Sequence, residues 1–199
     1  MNFSAVILAG GESTRMGRDK ARLEIAGRPL LVRQIQMVRE TGAGEVFISG
    51  RAGQDYAEFG CPVLSDQFGV AGPLAGIERA LAAASFSRLL VVAVDMPGLT
   101  AVILNQLVER SGGTKGMVPR LEGRMEPLAA VYPKSAWPVA ASLLNTGVYA
   151  AKTFAECCAR DGLAEFLDLD ASLARHFINW NAPADVLRQL SENASAARD

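Results

Sequence analysis

The segment LAGGESTRMGRDK, residues 8–20, combines Gly10, Gly11 and Gly17 with Ser13, Arg15, Arg18 and Lys20. It follows the apolar run Ala5-Val6-Ile7 and breaks it at Gly10-Gly11. That is the pattern of a buried strand ending in a turn, because glycine accepts positive φ without steric cost. Glycine-rich turns after a first strand present N–H groups to phosphate, and nearby cations add charge to the cradle. The chemistry indicated is polyphosphate binding. The groups for it are the backbone N–H groups of Ala9, Gly10, Gly11 and Glu12, the Ser13 hydroxyl, and the side chains of Arg15 and Lys20. The bland alternative is a structural turn, and Arg18 suits a solvated surface. Two familiar phosphate loops are excluded: GxxxxGK[ST] requires Ser or Thr after its lysine, where this chain has Ala21, and no GxGxxG occurs within residues 8–20.

Asp95 is the next residue with the means for chemistry. It follows LLVVAV, residues 89–94, the most apolar run of the chain, and so stands at the carboxyl edge of a sheet, where open α/β folds bind ligands. A carboxylate there can hold Mg²⁺ and bridge it to phosphates. The competing reading is an aspartate that caps the turn through Pro97. Asp66 ends another apolar run and belongs to the same edge.

These residues need a scaffold, and the hydrophobic pattern supplies one. Strands are expected over residues 5–8, 46–49, 62–65 and 89–94. Helices are expected from Pro29, as the first helical position, to near Gly42, with Leu31, Ile35 and Val38 inward; through Leu74, Ile77 and Leu81; and from Thr100 as N-cap to Glu109. The alternation predicts an α/β fold, a three-layer, doubly wound, mostly parallel sheet. From Gly116 the pattern changes to strand, turn at Glu122-Gly123 and strand, read as a small antiparallel insertion on the sheet edge. Helical stretches follow at 135–144 and 149–159. Phe177-Ile178 forms a short apolar stretch, and Pro183 opens a terminal helix containing Val186, Leu187 and Leu190, ahead of a frayed tail.

Composition bounds the function. The 199 residues suit one domain, and 20 basic against 21 acidic residues give a net charge of −1, without a general pull toward nucleic acid or membrane. Three cysteines, Cys61, Cys157 and Cys158, are odd in number and lack zinc spacing, so they read as reduced thiols of a cytoplasmic protein. No apolar run reaches membrane-spanning length, and no export signal is expected.

Taken together, LAGGESTRMGRDK, LSD at 64–66, GPLAGI from Gly72, VDMP at 94–97, EPLAAVYP from Glu126 and FINWNAP from Phe177 resemble the molybdenum cofactor guanylyltransferase family. The first motif is shared by nucleotidyltransferases as a group, and the later ones favour the guanylyltransferases over the related cytidylyltransferases. The resemblance implies a Rossmann-like nucleotidyltransferase fold and transfer of GMP from GTP to the phosphate of molybdopterin, with Mg²⁺ as cofactor. It assigns Leu8, Ala9, Gly10, Gly11, Ser13, Lys20, Asp66 and Asp95 to GTP; Lys20, Arg15 and Asp95 to catalysis; and Asp95 to the metal. Guanine presents N1–H and N2–H₂ donors, for which the Asp66 carboxylate is a suitable acceptor; a ribose contact or a loop cap would suit the same position.

Residues 1–112 then form a nucleotide-binding part and 113–190 an acceptor part of one domain. Asn179 and Asn181 alternate on an extended segment, so both amides address one side, expected to be that of the acceptor. Structural asparagines satisfying a loop would look the same. Ser49, Trp180 and Ala182 depart from the family pattern, with Ser49 still able to hydrogen-bond the nucleotide. Arg120, Arg124 and Glu126 read as solvated hairpin charges. His176 reads as structural, since an ionised phosphate attacks without a general base. Maturation proteins of molybdoenzymes are candidate partners. The alternatives are another nucleotidyltransferase, using CTP or a sugar phosphate, and a nucleotide-binding factor without catalysis.

Overall fold

Every position of the first strand is buried, which requires cover on both faces. The computed structural model describes residues 2–10, 19–51, 53–65 and 72–180 and supplies that cover. In chain order the strands and helices are β1 (Ser4–Leu8), β2 (Glu24–Ile25), β3 (Arg28–Pro29), α1 (Leu30–Glu40), β4 (Glu45–Gly50), β5 (Val63–Ser65), α2 (Pro73–Ala83), β6 (Arg88–Ala93), α3 (Ala101–Arg110), β7 (Gly116–Leu121), β8 (Arg124–Met125), β9 (Ala129–Pro133), α4 (Trp137–Asn145), α5 (Ala151–Arg160) and β10 (Ala164–Asp168). Short 3₁₀ segments occupy Lys20–Arg22, Ala57–Phe59, Lys134–Ala136 and Ala171–Phe177.

The main sheet runs β10-β7-β9-β6-β1-β4-β5, with β8 paired to β7; β2 and β3 form a separate small hairpin. Neighbours are parallel except around β9 and β8. Alternation along each strand divides the core in two. Ala5, Ile7, Leu90, Val92, Ala129 and Val131 meet α1 and α3 on one face. Val6, Leu89, Val91, Ala130 and Tyr132 meet α2, α4 and α5 on the other. This is the expected three-layer, mostly parallel arrangement.

Several local readings hold. Thr100 caps α3, its hydroxyl accepting from the Ile103 N–H at 3.4 Å, and Glu122-Gly123 makes its turn with φ of 48° and 78°.

Others are corrected. The segment from 116 to 133 is not an edge hairpin, because β9 lies inside the sheet between β6 and β7. All five of its residues are buried, and two apolar faces are only satisfied in the interior. The edge belongs to β10, a strand that the pattern did not reveal because most of its residues are partly exposed. Pro29 closes β3 and serves as N-cap, so α1 begins one residue later than expected. The predicted helix from Pro183 and the tail lie outside the described residues.

Candidate active site

The chain leaves β1 toward β4 and β5 on one side, then crosses back to β6 on the other. The carboxyl ends of β1 and β6 therefore lie side by side at the point where the strand order reverses, which is the ligand crevice of open α/β sheets. Leu8, Ala9 and Gly10 leave β1 there, and Asp95 lies just beyond β6.

The β1 end is tied down. The Ala9 N–H donates to the Ser49 carbonyl at 2.8 Å, and the Leu8 carbonyl accepts from the Val94 N–H at 3.1 Å. Ala9 thus spends its N–H on the sheet, which corrects the expectation that it would face phosphate. The Gly10 carbonyl accepts from Arg51 Nε at 2.6 Å. Ser49 is buried, and its hydroxyl lies against α2: a Cβ on Gly76 would come within 2.4 Å of Ser49 Oγ. The Ser49 side chain is accordingly a packing element beneath the helix, not a group facing the nucleotide. Gly76 is glycine because only a bare backbone permits that approach.

Lys20 and Asp95 meet. Lys20 Nζ donates to Asp95 Oδ2 at 3.0 Å, with the two side chains 15% and 23% exposed. Asp95 takes up this lysine and does not cap the turn through Pro97. Its loop is held from three sides. Buried Gln34 donates its amide to the Met96 carbonyl at 2.9 Å and the Val94 carbonyl at 3.4 Å, the Trp180 N–H donates to the Asp95 carbonyl at 2.8 Å, and Val94 is bonded to β1 as above. Trp180 is buried in the core, which anchors exposed Asn179 beside this loop.

The backbone before Lys20 is set by Asp19, whose Oδ1 accepts from the Ala21 N–H at 3.0 Å and whose Oδ2 accepts from the Tyr56 hydroxyl at 2.9 Å. Burial, together with Asp19, pushes the Tyr56 phenol well above its ordinary pKa. Sequence reasoning did not find Asp19, Tyr56, Arg51 or Gln34. The adjacency of Asp19 to Lys20 was a usable signal for the first, whereas the others act through contacts that no local pattern encodes. Gly11, Ser13, Arg15, Asp66 and Asn181 lie outside the described residues.

On the far side of Asp95, the β6–β9 ladder continues through an Ala93 N–H to Leu128 carbonyl bond of 2.8 Å, so the turn from Glu126 begins at this edge. Glu126 is half-buried and its carboxyl is raised by desolvation, partly offset by Arg124, so it is not the freely solvated charge expected. Arg120 makes a two-pronged ion pair with Asp168 at 2.6 and 2.7 Å and lies over the Phe166 ring at 5.3 Å. His176 is structural as expected: its Nδ1 donates to the Gly98 carbonyl at 2.7 Å. Burial pushes the Cys158 thiol up to about 12, which leaves it an inert core residue. No helix among the described residues is long and apolar enough to cross a membrane.

The arrangement pairs a cation and a carboxylate at the ligand crevice of a parallel sheet, where β1 ends in Ala9 and Gly10. A carboxylate at 23% exposure offers a hard oxygen donor, which suits Mg²⁺, an ion commonly held by one or two carboxylates together with substrate phosphates.

Comparison with known proteins agrees with this geometry. The family model described as "MobA-like NTP transferase domain" matches residues 5–159. A protein of Opitutus terrae named "Probable molybdenum cofactor guanylyltransferase" is 38% identical over 195 residues, covering 96% of each chain. One of Xanthomonas euvesicatoria, named "Molybdenum cofactor guanylyltransferase", is 32% identical over 96% of each. Among solved structures, molybdopterin-guanine dinucleotide biosynthesis protein A from Archaeoglobus fulgidus has a TM-score of 0.76 at 20% identity, covering 96% of this chain and 99% of that one. The 2-C-methyl-D-erythritol 4-phosphate cytidylyltransferase of Thermus thermophilus has a TM-score of 0.70 at 20% identity, with 96% and 98% covered. At these identities the structural matches speak for the fold.

Proposed function

Because the chain belongs to the MobA-like NTP transferase family, we propose that it transfers GMP from GTP to the terminal phosphate of molybdopterin, forming the guanine dinucleotide cofactor and pyrophosphate. The observation that carries this reading is the Lys20–Asp95 pair at the switch point of the sheet. Relatives named for this activity match over nearly the whole chain.

The reaction needs positioning and charge neutralisation more than covalent help. An oxygen of the acceptor phosphate attacks the α-phosphorus of GTP, the bond from that phosphorus to the bridging oxygen breaks, and pyrophosphate leaves. The attacking phosphate is already ionised, so no side chain need act as base, in keeping with the structural place of His176.

Lys20 exchanges its contact with Asp95 for phosphate oxygens, supported by Arg15, Ser13 and the N–H groups of Gly10 and Gly11. Nucleotidyltransferases of this kind generally depend on a metal, and Asp95 is the residue that would hold Mg²⁺. When bound, the ion offsets charge on the phosphates. Asp66 accepts hydrogen bonds from the guanine edge. Residues 1–112 then serve the nucleotide and 113–190 the acceptor, with Asn179 and Asn181 on the acceptor side. Three free cysteines fit work in the reducing cytoplasm, where molybdoenzyme maturation proteins would receive the product.

Calorimetric titration with GTP, CTP, ATP and UTP in Mg²⁺ tests the reading. The expected result is tight binding of GTP alone, weakened by Asp66→Ala. Preference for CTP would assign the cytidylyl reaction, and binding of no nucleotide would remove the enzyme reading.

A further inference from the structure

Lys20 belongs to a 3₁₀ segment of only three residues, too short to fix its own direction. Its aim must come from outside. Asp19 supplies one restraint by capping the Ala21 N–H with Oδ1, and Tyr56, 37 residues away, supplies the other by donating its hydroxyl to Oδ2 at 2.9 Å. The Tyr56 ring is fully buried and packs against the end of β4, where a Cβ on Gly50 would come within 3.0 Å of it.

The same two segments are tied again through Arg22. Its guanidinium reaches Glu58 Oε1 at 2.5 Å and the Asp55 carbonyl at 2.8 Å, and lies 5.6 Å from the Phe59 ring centre. Arg22 Nε is also 3.7 Å from Asp19 Oδ2. Without the tyrosine hydroxyl, the Asp19 carboxylate is free to turn toward Arg22, and the cap that orients the Lys20 backbone loosens.

We infer that Tyr56 and Asp19 are positioning residues for Lys20, and that through it they set the affinity for the triphosphate. This rests on the reading of Lys20 as a phosphate contact. In this role neither residue needs to touch the reacting groups. Their contribution is to hold an ammonium group where the phosphates arrive, so that little of the binding energy is lost in ordering it.

A double-mutant cycle on GTP binding isolates this role. Tyr56→Phe keeps the ring and deletes only the hydroxyl, and loss of one hydrogen bond to a charged group should weaken GTP about fivefold to tenfold. In a Lys20→Met background the same change should leave GTP affinity within about twofold, since the group being aimed is gone. Asp19→Ala should repeat both results with the tyrosine intact, which keeps the test open if Tyr56→Phe folds poorly. Undiminished affinity in Tyr56→Phe, or equal losses with and without Lys20, would overturn the inference. Wild-type affinity in Lys20→Met alone would instead refute the role of Lys20 itself.

Discussion

At the scale of single residues, the site depends on groups that are modest in stability and large in consequence. The Lys20–Asp95 contact is partly exposed and near the surface, where ion pairs contribute about 0–1 kcal/mol. Asp95→Asn should therefore leave the melting temperature within a few degrees. The same change should reduce pyrophosphate release from GTP and acceptor by about a hundredfold to a thousandfold, the usual effect of removing one preorganised electrostatic group. A large fall in melting temperature with full activity would make Asp95 a structural residue. Ser49 shows the opposite case. Sequence reasoning offered it to the nucleotide, but it is buried, with its hydroxyl directly beneath the bare backbone of Gly76.

Among the elements, α3 shows how ends are secured. Thr100 accepts from the Ile103 N–H at its start. At its finish the guanidinium of Arg88, almost fully buried, donates to the Val108 carbonyl and to Ser111 Oγ, both at 2.8 Å. Burial lowers the Arg88 pKa, yet the charge is well placed against the negative end of the helix dipole. Arg88→Met should cost about 1–3 kcal/mol in urea unfolding, because the Val108 carbonyl and Ser111 Oγ each lose a charged donor, even though Ser111 Oγ still donates to that carbonyl at 2.7 Å. Thr100→Ala should cost about 1 kcal/mol, and the two losses should add, since opposite ends of the helix share no partner. The Thr100 cap was legible in the sequence because it acts over three residues. The Arg88 cap was not, since it joins a strand to a helix end 20 residues away.

For the whole molecule, stability against pH tests how charges are distributed between segments. Burial pushes the Glu45 carboxyl up, but hydrogen bonds from Ser4 and Ser85 outweigh it and leave its pKa below the ordinary 4.5. A lowered pKa contributes stability above the unfolded value, and that contribution is lost as pH falls. Glu126 has the reverse sign. Burial raises its pKa, Arg124 offsets this only in part, and its contribution is full in acid and lost as pH rises through the folded value. In melting curves recorded from pH 3 to 8, Glu45→Gln should therefore flatten the loss of stability on acidification. Glu126→Gln should raise the melting temperature near neutrality, with the gain vanishing below the ordinary 4.5. A gain that persists in acid would contradict the burial of Glu126 as the cause.

What the sequence by itself determined is local. Apolar runs of period two and 3.6, the Gly10-Gly11 break and a carboxylate directly after the LLVVAV run mark strands, helices, the end of β1 and Asp95, because each signal is written in neighbouring residues. The tertiary structure alone decided which strands are neighbours and which side chains meet. Burial of both faces of β9 placed it inside the sheet, and no pattern along the chain states that order. Lys20 joins Asp95 across 75 residues, and Tyr56 joins Asp19 across 37. Periodicity records which face of an element is buried. Register and packing choose its partner, and those are settled only when the layers close on one another.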